Sequence, residues 1–248
     1  MIQNASIIVL AAGLGTRMKS DKAKVLHEIC GRPMIQYVIE AAIQVVGDNV
    51  VVVVGHQSEM VKEALSQYRG ISFALQELQL GTGHAVSCAL PFVSRAVDDV
   101  VILCGDVPLI YPHTIRDLLL DHQNNQRDVT LLGVQMPDPK GYGRILLDDS
   151  GNLSGIVEEA DADEQQRGIK YINSGIYAIR RSFLETVLPQ IKPNNKQGEI
   201  YLTDIIGLGY QMQKSLGLTL KAKIEEVVGV NTPSDLESAE NIMKIRIK

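Results

Sequence analysis

Cysteine is scarce: Cys30, Cys88 and Cys104 are the only three among 248 residues. Neither their spacing nor their odd number suits a metal knuckle or a disulfide framework. A reducing, cytoplasmic compartment is therefore expected. Long hydrophobic runs are also missing, and none could span a bilayer. The first apolar run, residues 7–10, has no basic flank and meets glycines within a few residues, unlike a signal peptide. No membrane partner is expected. A basic excess is absent too: 24 Lys and Arg stand against 29 Asp and Glu, a net charge of −5. That argues against a nucleic-acid partner, which calls for a basic face. There is no internal repeat, low-complexity tract or linker, and 45% hydrophobic residues can fill a sizeable core. Two common glycine-rich signatures are lacking as well. No G-x-x-x-x-G-K-[ST] occurs, and the G-x-G-x-x-G that starts at Gly13 meets Met18 where a third glycine belongs.

What is present begins at that loop. Residues 7–10, Ile-Ile-Val-Leu, read as a short buried strand of a parallel sheet. The strand empties into Ala11-Ala12-Gly13-Leu14-Gly15-Thr16-Arg17-Met18, and the loop is expected to run on through Ser20-Asp21-Lys22 without opening a helix. A strand ending in such a loop lies at the carboxyl edge of the sheet, where open α/β folds bind ligands. Gly13 and Gly15 let backbone N–H groups approach a ligand, and Arg17 and Lys24 add two cations. Amide donors beside cations suit a polyphosphate.

The rest of the chain alternates strand and helix signals. Helices are expected over 33–46, 58–68 and 81–91, and buried strands over 50–54, 71–75 and 100–103. This alternation predicts an α/β fold with a Rossmann-like, doubly wound, mostly parallel sheet. Beyond about residue 125 the pattern shifts to strands at 129–135, 144–147, 153–158 and 171–179, with a hairpin turn at Asp149-Ser150-Gly151-Asn152. These should add antiparallel strands that lid the first half and hold a second substrate. A helix over 201–213, strands over 218–223 and 227–230, and a final helix started by Thr232-Pro233-Ser234-Asp235 complete the reading.

Polar residues gather at the expected strand ends. Asp106, directly after the 100–103 strand, can hold Mg2+, which takes oxygen ligands and keeps several for phosphate and water; it could equally satisfy turn amides. Asn231, before the last helix, is a second oxygen candidate or simply a cap. Gln76 and the run Gln79-Leu80-Gly81-Thr82-Gly83 can read a base, since a side-chain amide both donates and accepts. The five histidines and three cysteines show no nucleophile–base pairing, so His27 and His84 read as structural.

The motif L-x-A-G-x-G-T-R-M with K-V-L-H downstream resembles the sugar-phosphate nucleotidyltransferases. Within them it is most similar to the uridyltransferase half of bacterial bifunctional N-acetylglucosamine-1-phosphate uridyltransferase/acetyltransferases. The resemblance runs from residue 7 to 231 and includes Q-x-x-Q-L-G-T-G-H, C-G-D-V-P-L, G-Y-G-R-I, I-V-E and I-N-S-G. It implies a nucleotide-diphospho-sugar transferase fold, with residues 1–230 as the nucleotidyltransferase unit and 231–248 as a helix packing on or leaving it. It further implies that Leu10, Ala11, Ala12, Gly13, Gln76, Gly81 and Thr82 bind the nucleotide. Cys104, Gly105, Gly141, Glu158 and Asn173 would bind the sugar phosphate, and Asp106 and Asn231 would hold Mg2+. Arg17, Lys24 and Asp106 would be catalytic. The substrates would be UTP and a sugar-1-phosphate: an oxygen of the sugar phosphate attacks the α-phosphorus in line and expels pyrophosphate.

Three positions depart from the family pattern. Ala23 stands where proline is usual, Cys104 where tyrosine is usual, and Ala160 where lysine is typical, so one cation near the sugar is expected to be missing. Other readings are a transferase for a different sugar-1-phosphate, an NAD-dependent oxidoreductase, and a catalytically silent sugar-nucleotide sensor. The family's acetyl transfer resides in hexapeptide repeats; none occurs in these 248 residues, so that activity is not expected of this chain.

Overall fold

The computed structural model describes residue 2 and residues 4–247, and all elements and contacts are those of the described residues. Strand β1 (Ala5–Leu10) leads into the glycine-rich loop. The loop is more regular than expected, with one 3-10 turn at Thr16–Met18 and another at Lys24–Leu26. A small hairpin, β2 (Glu28–Ile29) and β3 (Arg32–Pro33), precedes helix α1 (Met34–Val46). Then come β4 (Val50–Val54), α2 (Ser58–Ala64), β5 (Ser72–Leu75), α3 (Thr82–Ala89) and β6 (Asp99–Cys104). Helix α2 ends before residue 68 because the chain tightens at Leu65, whose N–H bonds the carbonyls of both Val61 and Lys62.

Helix α4 (Pro112–Asn124) falls where no element is assigned from the sequence. Its buried positions Ile115, Leu118, Leu119 and His122 lie at helical spacing behind a proline in the first turn, so the signal was there to find. Strands β7 (Val129–Gln135), β8 (Arg144–Leu147) and β9 (Leu153–Val157) follow, the last two paired around the Asp149–Asn152 turn. A single turn, α5 (Glu164–Arg167), precedes β10 (Tyr171–Arg180), α6 (Arg181–Val187), α7 (Asp204–Gln211) and β11 (Leu216–Thr219).

Two late strand expectations are corrected. The strand expected over 218–223 is β11, displaced toward the N-terminus because its ladder with β7 runs from Leu216 to Thr219. Residues 227–230 form no strand: Val227 closes a short helical turn, α8 (Ile224–Val227). The Val230 N–H then bonds the Asp106 carbonyl instead of a neighbouring strand, since this segment crosses the ends of the sheet. The final helix, α9 (Pro233–Arg246), starts as expected, with Thr232 and Asp235 forming a reciprocal capping box.

Among the described residues nine strands make the main sheet, in the order β11-β7-β10-β6-β1-β4-β5, with the β8–β9 hairpin attached to β10. Strands β5, β4, β1 and β6 are mutually parallel, and β10 lies antiparallel to both β6 and β7. Period-two alternation divides the core between the faces. Val50, Val52 and Val54 pack with α1, α2 and α4, whereas Val51 and Val53 pack with α3, α6 and α7. A run of five valines is thus explained by helices on both sides. Strand order reverses between β1 and β6, where Leu10 and Cys104 are paired neighbours. Such a switch point opens a crevice at the carboxyl ends of the strands.

Candidate active site

A cavity of about 420 Å³ opens at that crevice. Its walls include Leu10, Ala11, Ala12 and Gly13 from the first loop, Gln76 from the end of β5, Gly81 and Thr82 from the start of α3, and Cys104 and Asp106 after β6. Lys24 completes the wall on the loop side. All seven positions expected to bind a nucleotide therefore face one space. Gly15 is at φ 66, and a Cβ there would strike the Lys24 Cβ at 2.6 Å, so this glycine lets the loop close onto the lysine. Gly105 is also closely backed: its N–H bonds the Leu10 carbonyl at 2.9 Å, tying β6's end to β1's.

A charged centre adjoins the cavity at Lys24 and Asp106. Lys24 Nζ contacts Asp106 Oδ2 and donates to Asn231 Oδ1 at 3.0 Å. Arg17 Nη2 donates to the same Asn231 oxygen at 2.7 Å. Two cations from the first loop and two side-chain oxygens from distant parts of the chain thus converge. Asp106 and Asn231 fit a divalent cation: a lysine ammonium already lies between their oxygens, and both are hard oxygen donors. Gly229 leaves room beside them, since a Cβ there would lie 3.4 Å from Asp106 Oδ2 and 3.2 Å from Asn231 Nδ2. Among the described residues no cluster of three or more His, Cys, Asp or Glu side chains could hold a metal.

Around Gln76 the wall is built on amides. Gln76 is only 3% exposed, and its Nε2 donates to the Gly81 carbonyl at 3.0 Å. Gly81 needs its φ of 112 and its missing side chain, because a Cβ would meet the Ile200 carbonyl at 2.5 Å. The start of α3 is less free than the sequence implies. The Gly83 N–H bonds the Ile200 carbonyl and the Thr82 hydroxyl accepts from the Leu202 N–H, so both hold the 199–202 segment beside the cavity.

The remaining expected residues form a neighbouring group. Glu158 Oε2 lies within 3.2 Å of where a Gly143 Cβ would sit, and the Asn173 N–H bonds the Gly143 carbonyl. Burial pushes the Glu158 carboxyl up, and the carboxylates of Asp204, Asp161 and Glu199 add to this, while Thr203 opposes it. Asn173 Oδ1 accepts from the Gly175 N–H and from the Tyr177 hydroxyl, which leaves the Asn173 amide nitrogen to donate. Cys104 joins the two groups: burial pushes its thiol up to about 12, the Asp106 carboxylate adding, so it is a neutral wall. Gly141, at φ 85, donates its N–H to Glu159, which also pairs with the buried Arg144. Neither Gly141 nor Asn231 lines the cavity itself.

Several contributors escape the sequence reading. Gln57 Oε1 accepts from the Ala23 N–H and its Nε2 donates to the Asp21 carbonyl, each at 2.7 Å, so the loop is clamped without a proline. A cation does lie beside position 160, since Lys196 Nζ donates to the Ala160 carbonyl at 2.7 Å. Tyr177 and Gly229 are further examples, both silent in one dimension.

A family model described as the MobA-like NTP transferase domain matches residues 7–168. The chain belongs to that family. As a MobA-like NTP transferase it is a nucleotidyltransferase, and the match spans the first loop, Lys24, Gln76, Asp106 and Glu158. The transferase is 44% identical to the bifunctional protein GlmU of Desulfotalea psychrophila, over 97% of this chain and 71% of that protein. It is 45% identical to the protein of the same name from Caldanaerobacter subterraneus, over 97% of this chain, and 43% identical to that of Pelobacter propionicus, over 99%. It spans about half the length of those two, 52% and 54%. A solved structure from Bacillus anthracis, described as a glucose-1-phosphate thymidylyltransferase, shares the fold with a TM-score of 0.76 at 22% identity, covering 96% of this chain and 94% of that one. Among the described residues no helix of the transferase is long and apolar enough to cross a membrane.

Proposed function

We propose that the protein transfers a uridylyl group from UTP to N-acetylglucosamine-1-phosphate, giving UDP-N-acetylglucosamine and pyrophosphate. The observation that carries this reading is a cavity lined by Gln76 and by Lys24 and Asp106, the last two joined behind it by Asn231, which Arg17 also contacts. A nucleoside triphosphate laid along it has its base at the amides and its phosphates at the cations. An oxygen of the sugar phosphate would attack the α-phosphorus, the bond to the bridging oxygen of the β-phosphate would break, and pyrophosphate would leave. Lys24 and Arg17 would stabilise the charge that builds on the phosphates, and no covalent enzyme intermediate is needed. Asp106 and Asn231 would hold Mg2+, which when bound neutralises phosphate charge. The loop N–H groups of 12–15 would orient the triphosphate, that of Ala11 being bonded to the Val53 carbonyl.

On the acceptor side Glu158 would accept from a sugar hydroxyl, and the Asn173 amide nitrogen would donate to the acetamido carbonyl. Cys104 supplies less bulk than a tyrosine, which supports looser sugar selection than the family norm. We further propose that residues 1–230 form the transferase unit and that 231–248 dock on it, as the packing of Ala239 and Met243 against Met34 and Leu109 supports. A cytoplasmic location fits the reducing context expected from its cysteines.

Pyrophosphate release with UTP tests the reading. Among N-acetylglucosamine-, N-acetylgalactosamine- and glucose-1-phosphate, the first should have the highest kcat/KM, by a narrow margin. Outright preference for glucose-1-phosphate would overturn the acetamido role of Asn173, and no release with any sugar phosphate would overturn the reaction.

A further inference from the structure

His84 sits on α3 four residues before Cys88, so both side chains lie on one helix face. Its Nδ1 is 3.1 Å from Gln76 Nε2, and its Nε2 is 3.7 Å from Cys88 Sγ. The identity of the Gln76 atom is fixed by its other neighbour. The Gly81 carbonyl, 3.0 Å away, can only accept, so the atom facing it must be the amide nitrogen. That nitrogen has two hydrogens: one goes to Gly81, and the other points at His84 Nδ1. Nδ1 must therefore be the unprotonated nitrogen of a neutral ring, with the proton on Nε2, toward the Cys88 sulfur.

We infer that His84 is a positioning residue for base selection. Between them, His84 and Gly81 take both amide hydrogens of Gln76. The Gln76 carbonyl oxygen, for which no partner occurs among the described residues, then faces the cavity as an acceptor. A lone acceptor there matches a base that presents a ring N–H, as uracil does at N3. It opposes cytosine, whose N3 carries a lone pair. The inference rests on the proposal that Gln76 reads the base. It adds a claim that proposal does not contain: selectivity depends on a histidine tautomer behind the cavity wall.

The amide could present its nitrogen to the cavity only by turning its oxygen toward the Gly81 carbonyl and His84 Nδ1, two acceptors. Without His84 one of those barriers is gone, and the buried amide hydrogen loses its partner. A buried donor left unpaired costs enough to change an affinity by about tenfold.

The test compares kcat and KM for UTP and CTP in the wild-type protein and in His84→Leu, His84→Asn and Gln76→Ala. His84→Leu should lower the UTP-over-CTP preference in kcat/KM about tenfold, mainly through a higher KM for UTP. His84→Asn should recover most of that loss, because its side-chain oxygen can accept where Nδ1 did. A preference unchanged in Gln76→Ala would overturn the reading of Gln76 and the inference with it. A preference lost in Gln76→Ala but kept in His84→Leu would overturn the inference alone, as would failure of His84→Asn to recover it. Should the leucine variant not fold, 15N NMR of histidine-labelled wild-type protein at pH 8 decides independently. A proton on Nε2 of His84 is expected, and one on Nδ1 would refute the inference.

Discussion

Replacing Lys24 with methionine should tighten the binding of a divalent cation to the nucleotide-free protein. Lys24 Nζ contacts Asp106 Oδ2 and lies 3.0 Å from Asn231 Oδ1. The pair is largely shielded, with 17% of the lysine side chain and 18% of the aspartate exposed. A metal that uses these two oxygens has to displace the ammonium first. Unit charges about 4 Å apart attract by about 4 kcal/mol at an effective dielectric constant of 20. The lysine regains hydration on leaving, so the net cost is nearer the 1.5–3 kcal/mol typical of a hydrogen bond to a charged group. Removing that cost should tighten Mn2+ binding by about 10- to 100-fold. Arg17→Ala is the control. Its side chain is exposed and among the described residues hydrogen-bonds Asn231 alone, and such a contact is worth at most about 1 kcal/mol, so the gain should stay below about fivefold. Electron paramagnetic resonance of free Mn2+ gives both affinities without any turnover. Activity should move the other way, with Lys24→Met losing about 10²–10³ in kcat if the ammonium stabilises transition-state charge. Mn2+ binding that is unchanged or weaker in Lys24→Met would refute the competition between lysine and metal.

Two other expectations follow from the same structure. Ala23 has φ −52, which proline accepts, but its N–H is used by Gln57. In a Gln57→Ala background, Ala23→Pro should therefore recover roughly 0.4–1 kcal/mol of stability in urea, whereas with Gln57 present it should gain nothing, and equal effects in both backgrounds would refute the clamp. Asp99 is buried, which by itself raises its pKa, yet His122 and Gln123 beside it outweigh that and hold the carboxyl below its ordinary value. A lowered folded pKa contributes stability above the unfolded value of about 3.9 that disappears as pH falls through the folded one. Asp99→Asn should flatten the acid limb of a stability profile taken from pH 6 to pH 3, and an unchanged slope would exclude Asp99 as its source.

The parts of the fold visible in the sequence are those whose signals are local. Five valines between turn residues, or Thr232 three residues before Asp235, state their structure in a few positions, and the strand, the cap and the helix start were all legible. Val227–Val230 carries an equally local β signal and forms no strand, because pairing is decided by neighbours and no strand lies alongside it among the described residues; its Val230 N–H bonds the Asp106 carbonyl instead. The same division runs through the site. The glycine loop, Lys24, Gln76 and Asp106 sit at strand ends within recognisable motifs and could be named in advance. What holds them could not, because each support arrives from far along the chain: Gln57 reaches back 34 residues to Ala23, and the Val230 N–H bonds the Asp106 carbonyl. Position 23 makes the consequence concrete. Read as a motif, alanine in place of proline looks like a loss of stiffness in the loop that carries Lys24. In three dimensions the alanine supplies an N–H that proline lacks, and Gln57 uses it to fix the backbone. Departure and compensation are one interaction, and only the alanine half of it is visible at the motif.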